Sequence, residues 1–267
     1  MRKPSRRRWS DLLLVQGASA ARRFETLVNT REQQPRTFAG RVRAVVYLAV
    51  MDPKWARPWF AVTAAAVLAG LIIQIGVSSG NTSVFGGTPL GRSLNIFAFF
   101  TIQSNVIVGA ATLLLAINPS RSSAVFRVFR MMGLVGITVT FVVFHVALSH
   151  LLDLETWAEA ANQLQHTVVP VLAVVGWLAF GPRRLTSARV AKLSVLFPAF
   201  YMAFAMIRGA FDSFYPYPFA NVTNLGYLKV VINGFWVALL FVALAAGATA
   251  LDKRLAAPPT AAQPIVR

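Results

Sequence analysis

The stretch MMGLVGITVTFVVFHVALSHLL, residues 131–152, contains no Lys, Arg, Asp or Glu. Because an α-helix rises about 1.5 Å per residue, a helix of this length crosses the roughly 30 Å hydrocarbon core of a bilayer. Its apolar residues lie on every face of the helix, which is typical of a membrane span and not of an amphipathic surface helix. The stretch therefore predicts a transmembrane helix.

The whole chain has the composition of a membrane protein. Of its 267 residues, 56% are hydrophobic and 13% are charged, whereas soluble domains carry about 25% charged residues. Six apolar segments are predicted spans, near residues 59–78, 93–117, 130–151, 163–181, 190–210 and 229–250. The predicted fold class is all-α: a polytopic membrane protein whose six transmembrane helices form one bundle over residues 58–250.

The distribution of basic residues predicts the topology. A formal net charge of +17 is compatible with nucleic-acid binding, but the charges do not form one basic face. They lie in residues 1–58 and in alternate gaps between the spans, and only three of the 26 Lys and Arg, namely Arg92, Arg208 and Lys229, lie on the opposite flanks. The positive-inside rule then places both termini in the cytoplasm, and no nucleic-acid partner is predicted.

The two ends of the chain are predicted to lie outside the bundle. Residues 1–57 begin with a basic block but lack the apolar core and cleavage site of a signal peptide, so we expect a largely disordered cytoplasmic tail. Alternatively, translation starts at Met51, because MDPKWARPWFAVTAAAV (51–67) is a complete start to the first span. Residues 251–267 are rich in Pro and Ala and predict a disordered cytoplasmic tail.

Polar side chains within the predicted spans gather toward the outer face of the membrane. Such residues are costly in a bilayer, so they mark a functional site or a helix–helix contact. All three histidines, His145, His150 and His166, lie in this layer. The inner half is nearly all apolar, and no Asp or Glu lies inside a predicted span. Further possible site-lining residues at this level are Arg208, Asp212, Tyr215 and Tyr217.

The segment FFTIQSN, residues 99–105, places polar groups about eight residues into the second predicted span. At about 100° per residue, Thr101, Ser104 and Asn105 fall within one arc of the helix, whereas Gln103 points away and serves a different contact. A single Thr in a span most often donates its hydroxyl to its own i−4 carbonyl. The shared face instead predicts that these groups line a cavity.

Asn162 and His166 are four residues apart, so the Asn amide is able to orient the imidazole. Such a pair needs a nucleophile from another helix, which a Thr or Ser can supply. A single His in a span is also commonly an interhelical donor. His145 and His150 are five residues apart, about 140° around the helix, and the chain has no Cys. No metal site and no cofactor are therefore predicted.

Three segments together resemble a known family: FFTIQSN (99–105), NQLQHTVVP (162–170) and RGAFDSFYPYPF (208–219). Their order and placement are similar to the androgen-induced and androgen-dependent TFPI-regulating family of multi-pass membrane proteins, and more closely to its bacterial six-span relatives. The likeness covers roughly residues 58–250. It implies a bacterial cytoplasmic (inner) membrane protein.

The family implies an activity as well. Its animal members hydrolyse fatty-acid esters of hydroxy fatty acids, with a Thr nucleophile in one span and a His in another. The resemblance transfers these roles to Thr101 and His166. The continuation TIQSN and the loop YPYPF are typical of the bacterial branch, so the animal substrate does not transfer with them. In this hypothesis, Asn162 holds the imidazole, and Ser104 or Asn105 donates to the developing oxyanion.

The sequence thus predicts an intramembrane lipid-ester hydrolase whose partners are membrane lipids and an acyl ester entering from the bilayer. One alternative is a non-catalytic membrane protein that binds a lipid or small molecule. A transporter or channel is less favoured, because no predicted span contains a carboxylate for ion coupling. The hydrolase hypothesis requires the Thr101 oxygen to lie within hydrogen-bond distance of a His166 ring nitrogen.

Overall fold

The computed structural model of the protein describes residues 53–82 and 87–256. This part of the chain is helical and contains no strand, which confirms the predicted all-α class. Six helices are long and apolar enough to cross a membrane. They are α1 Ala56–Gly80, α2 Phe100–Ile117, α3 Ala124–Leu151, α4 Thr156–Phe180, α5 Ala188–Asp212 and α6 Val222–Leu255.

The limits of the bundle extend slightly beyond the predicted residues 58–250. A 3₁₀ turn, Pro53–Trp55, precedes α1, and α6 continues to Leu255. The rest of both predicted tails, including Met51 as an alternative start, lies outside the described residues.

Three of the long helices are locally irregular. In α3, the α-helix Ala124–Val143 is followed by a π-helical turn, Phe144–Leu148, and a 3₁₀ turn, Ser149–Leu151. In α4, a π-helical turn, Leu164–Val168, separates the α-helices Thr156–Gln163 and Val169–Phe180. In α5, the α-helices are Ala188–Ser194 and Leu196–Asp212. Because π turns occur frequently at functional sites, those in α3 and α4 mark a region of interest.

The second predicted span is interrupted before its polar segment. A short helix, Pro89–Asn95, and a 3₁₀ turn, Ile96–Ala98, lead to Phe99, whose backbone is extended. The ring of Phe99 packs edge-on against that of Tyr217, with centroids 5.8 Å apart. This packing holds Phe99 out of the helix, so α2 begins at Phe100. Thr101 therefore lies in the first turn of α2, and the prediction that it lies about eight residues into a helix is wrong.

The helices pack through apolar side chains and close approaches at glycine. One core cluster joins α2, α3, α5 and α6 around Phe100, Val139 and Phe241. Between α1 and α2, a Cβ on Gly109 would lie only 2.8 Å from Val67 Cγ1. Small residues at such crossings let helices approach in the way typical of membrane bundles. Large apolar side chains on the outside, such as Phe211, then suit contact with lipid.

The chain direction of the helices gives the bundle two ends. One, the Thr101 end, contains the start of α2 and the loops 152–155 and 213–221. The other, the Asp252 end, contains the loops 118–123 and 181–187 and the end of α6.

The Asp252 end of the bundle also contains buried polar groups, in residues at or just beyond the ends of the predicted spans. At the Asp252 end, Arg130 Nη1 donates to the Pro182 carbonyl at 2.9 Å and Nη2 donates to the Gly181 carbonyl. Asp252 Oδ2 accepts from the Thr186 hydroxyl at 2.8 Å and from its N–H at 3.2 Å. The Asp252 end thus has a polar network of its own.

The observed helices, unlike the shorter predicted spans, include carboxylates. They include Glu159 in α4, Asp212 in α5 and Asp252 in α6, each close to a helix end. The reason is that these helices run several residues past the predicted spans.

Candidate functional site

Thr101 and His166 meet between α2 and α4. Thr101 Oγ1 lies 3.2 Å from His166 Nε2, which is within hydrogen-bonding range. The Thr101 residue is buried, with 7% of its surface exposed. The contact predicted from the sequence is therefore confirmed as geometry, whereas the roles of the two residues in catalysis stay a prediction.

The second ring nitrogen fixes the tautomer of His166. His166 Nδ1 lies 3.1 Å from the main-chain carbonyl oxygen of Asn162. A carbonyl oxygen can only accept, so Nδ1 carries the hydrogen, and the neutral ring presents its Nε2 lone pair to Thr101. The Phe144 ring stacks on the imidazole, with centroids 4.1 Å apart and an interplanar angle of 23°. The ring is thus held in the orientation that a general base requires.

The side chain of Asn162 does not hold the imidazole, and that prediction is wrong. Asn162 Nδ2 donates instead to Glu159 Oε2 at 3.2 Å. The i−4 carbonyl is the nearest acceptor for an imidazole Nδ1 that points back along its own helix. His145 shows the same pattern, since its Nδ1 lies 2.9 Å from the Phe141 carbonyl oxygen. The group that orients the His166 imidazole is therefore the main-chain carbonyl of Asn162 and not its side chain.

Tyr217, from the loop between α5 and α6, is the third group in contact with Thr101. Its hydroxyl accepts from the Thr101 N–H at 3.1 Å and lies 3.2 Å from Thr101 Oγ1. When the Thr101 hydroxyl donates to His166, the Tyr217 O–H is able to donate to Thr101 Oγ1. Burial raises the pKa of the Tyr217 phenol above its ordinary value, and the hydrogen bonds from Thr101 act in the opposite direction. Tyr217 therefore stays protonated at neutral pH.

A cavity of about 440 Å³ adjoins these residues and extends among α3, α5 and α6. Its volume lies within the range of small-molecule sites. The lining is apolar except for five side chains that bear a hydroxyl or an imidazole: Thr101, Thr140, His166, Tyr201 and Tyr217. The Thr–His pair thus lies in the wall of a largely hydrophobic chamber.

The other polar residues of FFTIQSN do not line this cavity. Asn105 Nδ2 donates to the carbonyl oxygens of Thr101 at 2.9 Å and Gln165 at 3.2 Å, so it joins α2 to α4. Ser104 is fully buried, and it packs toward Gly136 of α3. Gln103 Nε2 donates to the Phe97 carbonyl at 2.9 Å, which is the separate contact predicted for it. Neither Ser104 nor Asn105 offers a donor to a ligand in the cavity.

The two remaining histidines also lie away from the cavity. His145 is exposed, and its Nε2 lies 3.3 Å from Thr167 Oγ1. His150 is exposed in the 3₁₀ turn that ends α3. Within residues 53–82 and 87–256, no three His, Cys, Asp or Glu side chains lie close enough together to hold a metal ion.

Of the predicted residues in the last turn of α5 and the loop that follows it, only Tyr217 belongs to the cavity lining. Arg208 Nε forms an ion pair with Asp212 Oδ2 at 3.0 Å, and its guanidinium lies 4.4 Å from the centroid of the Phe214 ring. Tyr215 packs against Gly209, where a Cβ would clash with its ring. Arg208, Asp212 and Tyr215 therefore belong to the rim of the Thr101 end.

Tyr201 and Thr140 were not predicted from the sequence. Both residues belong to the lining of the cavity, and their hydroxyl oxygens are buried without a hydrogen bond of normal length among the described residues. A signal for Tyr201 existed, because FPAFYMAFAM (197–206) places a tyrosine within a span, away from the interfaces where tyrosines concentrate. Thr140 has no comparable signal, since a Thr in a span most often bonds its own helix.

The fold and the six apolar helices are compatible with the class of multi-pass membrane proteins. The chain matches no protein-family model, no curated protein and no solved structure.

Proposed function

We propose that this protein is an intramembrane hydrolase of fatty-acyl esters, with Thr101 as nucleophile and His166 as general base. One observation carries the proposal: Thr101 Oγ1 and His166 Nε2 lie 3.2 Å apart in the wall of a hydrophobic cavity of about 440 Å³. The resemblance to the androgen-induced family points to the same two residues. An apolar chamber suits an acyl chain, and the dyad suits its ester.

The chemistry uses the tautomer described for His166. Thr101 Oγ1 forms a bond to the ester carbonyl carbon, its proton passes to His166 Nε2, and the carbonyl π electrons move to the oxygen. When the bond to the alcohol oxygen breaks, the imidazolium gives its proton to that oxygen, and an acyl-Thr101 ester remains. Base catalysis of this kind contributes about 10²–10⁴-fold in rate.

Water then completes the cycle. His166 Nε2 takes a proton from a water molecule, whose oxygen attacks the acyl carbon. Collapse of the second tetrahedral intermediate releases the fatty acid and returns the proton to Thr101 Oγ1. The Asn162 carbonyl stabilises the imidazolium in both halves by accepting from Nδ1, at 3.1 Å in the resting state.

Activity-based labelling tests the proposal. A fluorophosphonate probe should label the purified protein, and Thr101→Ala and His166→Ala should each abolish labelling. Thr112→Ala is a matched control, because Thr112 is also on α2 and bonds only main-chain carbonyls of its own helix, those of Val108 and Gly109. Labelling that persists in both Thr101→Ala and His166→Ala would refute the assignment of Thr101 as nucleophile and His166 as base.

The proposed topology places the Thr101 end outside and both termini in the cytoplasm of a bacterial inner membrane, because the basic residues favour that orientation. The native chain has no Cys, so a single introduced cysteine is a clean probe. Asp153→Cys, exposed at the Thr101 end, should react with a membrane-impermeant maleimide on intact cells. Ser122→Cys, exposed at the Asp252 end, should react only after lysis, and the reverse pattern would refute the orientation.

The second candidate function is lipid binding without catalysis. One observation favours it: His166 Nδ1 bonds a neutral carbonyl oxygen, that of Asn162, rather than a carboxylate. A protein of this kind would bind a fatty acid stoichiometrically, would not react with the fluorophosphonate and would not turn over a fatty-acyl ester.

A further inference from the structure

The start of α2 lies in the wall of the cavity. The first N–H groups of any helix lack partners within that helix, and they form the positive end of its dipole. Phe99 precedes α2 and makes no side-chain capping bond. The Thr101 N–H instead donates to the Tyr217 hydroxyl, and both Phe100 and Thr101 belong to the cavity lining. The side chain of Tyr217, which also belongs to the cavity lining, thus accepts a hydrogen bond from the start of the helix.

Tyr201 provides a second and independent observation. The residue is 9% exposed and belongs to the cavity lining, and its hydroxyl makes no hydrogen bond of normal length within the described part of the chain. Its polar neighbours are the Tyr217 hydroxyl and the Phe100 main-chain N–H. Its ring packs edge-on against Phe100, with centroids 5.1 Å apart, and lies 6.4 Å from the Tyr217 ring. A buried hydroxyl without a partner is costly. An ester carbonyl oxygen beside the start of α2 would give this hydroxyl an acceptor at normal hydrogen-bond distance.

We propose that the hydroxyls of Tyr201 and Tyr217, at the start of α2, bind the carbonyl oxygen of the ester and stabilise the negative charge that develops on it. This inference rests on the proposed function and names the oxyanion donors of that site. They replace Ser104 and Asn105, whose polar atoms do not line the cavity.

The position of the tyrosines fits the geometry of the attack. In the tetrahedral intermediate, Thr101 Oγ1 and the former carbonyl oxygen are bonded to the same carbon, so they are adjacent. The Tyr217 hydroxyl already lies 3.2 Å from Thr101 Oγ1. The neighbouring Tyr201 hydroxyl, which makes no hydrogen bond of normal length among the described residues, supplies a second donor. Both phenols keep their protons, and the charge returns to the carbonyl π bond when the bond to the leaving oxygen breaks. Fixed donors of this type stabilise the transition state more than the ground state.

Kinetics of the full-length protein in detergent, with 4-nitrophenyl octanoate as substrate, test the inference. Tyr201→Phe and Tyr217→Phe should each lower kcat by about 100-fold, as expected for one lost oxyanion donor, with little change in KM. Tyr227→Phe is the matched control, because Tyr227 is 74% exposed on the outside of α6. It should retain turnover within about twofold.

A ratio of inhibitor affinities separates oxyanion binding from a loss of folded protein. An octyl trifluoromethyl ketone forms an adduct with Thr101 that carries an oxyanion, whereas the octyl methyl ketone has the same chain and does not. Tyr201→Phe and Tyr217→Phe should reduce the affinity ratio of the two ketones by about 100-fold. This ratio does not depend on the folded fraction.

The outcomes distinguish the two proposals. If the wild type is labelled and turns over, but both Tyr→Phe variants keep their kcat and ketone ratio within threefold of wild type, the inference is overturned and the proposed function stands. If the wild type is neither labelled nor active, the proposed function fails and the inference fails with it.

Discussion

The two ends of the bundle both bury polar groups but use them differently. At the Asp252 end, the guanidinium of Arg130 bonds main-chain carbonyls, and one oxygen of Asp252 accepts twice from Thr186. The second oxygen has no bonding partner among the described residues, but Arg130 and Arg183 both interact with Asp252 electrostatically. Burial lowers the pKa of the Arg183 guanidinium, and the charge of Asp252 opposes that shift.

The Thr101 end, in contrast, has side chains that bear hydroxyl groups in the wall of a cavity. Its cavity measures about 440 Å³, whereas the pocket beside Arg130 measures about 30 Å³, roughly the volume of one water molecule. Polar groups that bond one another across helices stabilise a fold. Polar side chains in the wall of a cavity are placed where they can bind a ligand. The comparison therefore predicts that substitutions at one end affect activity and those at the other affect stability.

The largest effect is expected for Thr101→Ala. Removal of the nucleophile should lower ester turnover by about 10⁴-fold, and the unfolding temperature should change little. Turnover of an acyl ester and thermal unfolding in the same detergent measure the two effects. If Thr101→Ala mainly lowers the unfolding temperature, the two ends do not differ in the way described.

At the opposite end, Asp252→Ala should destabilise the protein by about 3 kcal/mol, because it leaves buried guanidinium charge without its counter-charge. Asp252 is 1% exposed. Asp153→Ala, in an exposed loop, is the matched control and should change stability by no more than about 0.5 kcal/mol. Chemical unfolding measures both, and turnover per folded Asp252→Ala molecule should equal that of the wild type. A large loss of that specific turnover would make the Asp252 end part of the site.

A substitution that fills the cavity should act on the acyl chain alone. A Cβ on Gly234 would lie 3.3 Å from Met202 Cε, and both residues belong to the cavity lining. Gly234→Leu should raise KM for a decanoate ester about tenfold, the equivalent of about two methylene groups, and leave KM for an acetate ester unchanged. Gly247→Leu is the control, since nothing lies within 4 Å of its added Cβ. Equal effects on the long and short esters would show that the chain does not occupy this cavity.

The smallest effect is expected for Asn162→Ala. The imidazole bonds the main-chain carbonyl of this residue, and its side chain bonds Glu159. The carbonyl remains in the variant, so kcat should fall by less than about threefold, in contrast with His166→Ala. A loss of 100-fold would show that the amide itself acts on the imidazole.

Hydropathy was enough to predict the six helices, because each buries its own main-chain hydrogen bonds and needs only apolar side chains to suit lipid. The approach of Thr101 to His166 was predictable from the resemblance and from their shared depth. The interruption at Phe99 was not, since it depends on packing against Tyr217, which is more than one hundred residues away in the sequence. Asp252 was predicted to lie in the C-terminal tail, because the apolar sequence ends near residue 250 whereas α6 continues to Leu255.

The two π turns have a consequence for how the chain tolerates change. Phe144 and His166, the rings that stack on each other, each lie in a π turn. In the turn of α4, the Val169 N–H bonds the Leu164 carbonyl, five residues back, so this turn holds one residue more than an α-helical turn. Deletion of Leu164 would relax the helix to regular α geometry and place His166 three positions after Asn162. The ring would then turn by about 100° away from both Thr101 and the Asn162 carbonyl. A deletion that makes the helix regular would thus separate His166 from Thr101. The additional residue of the π turn therefore contributes to the geometry of the site.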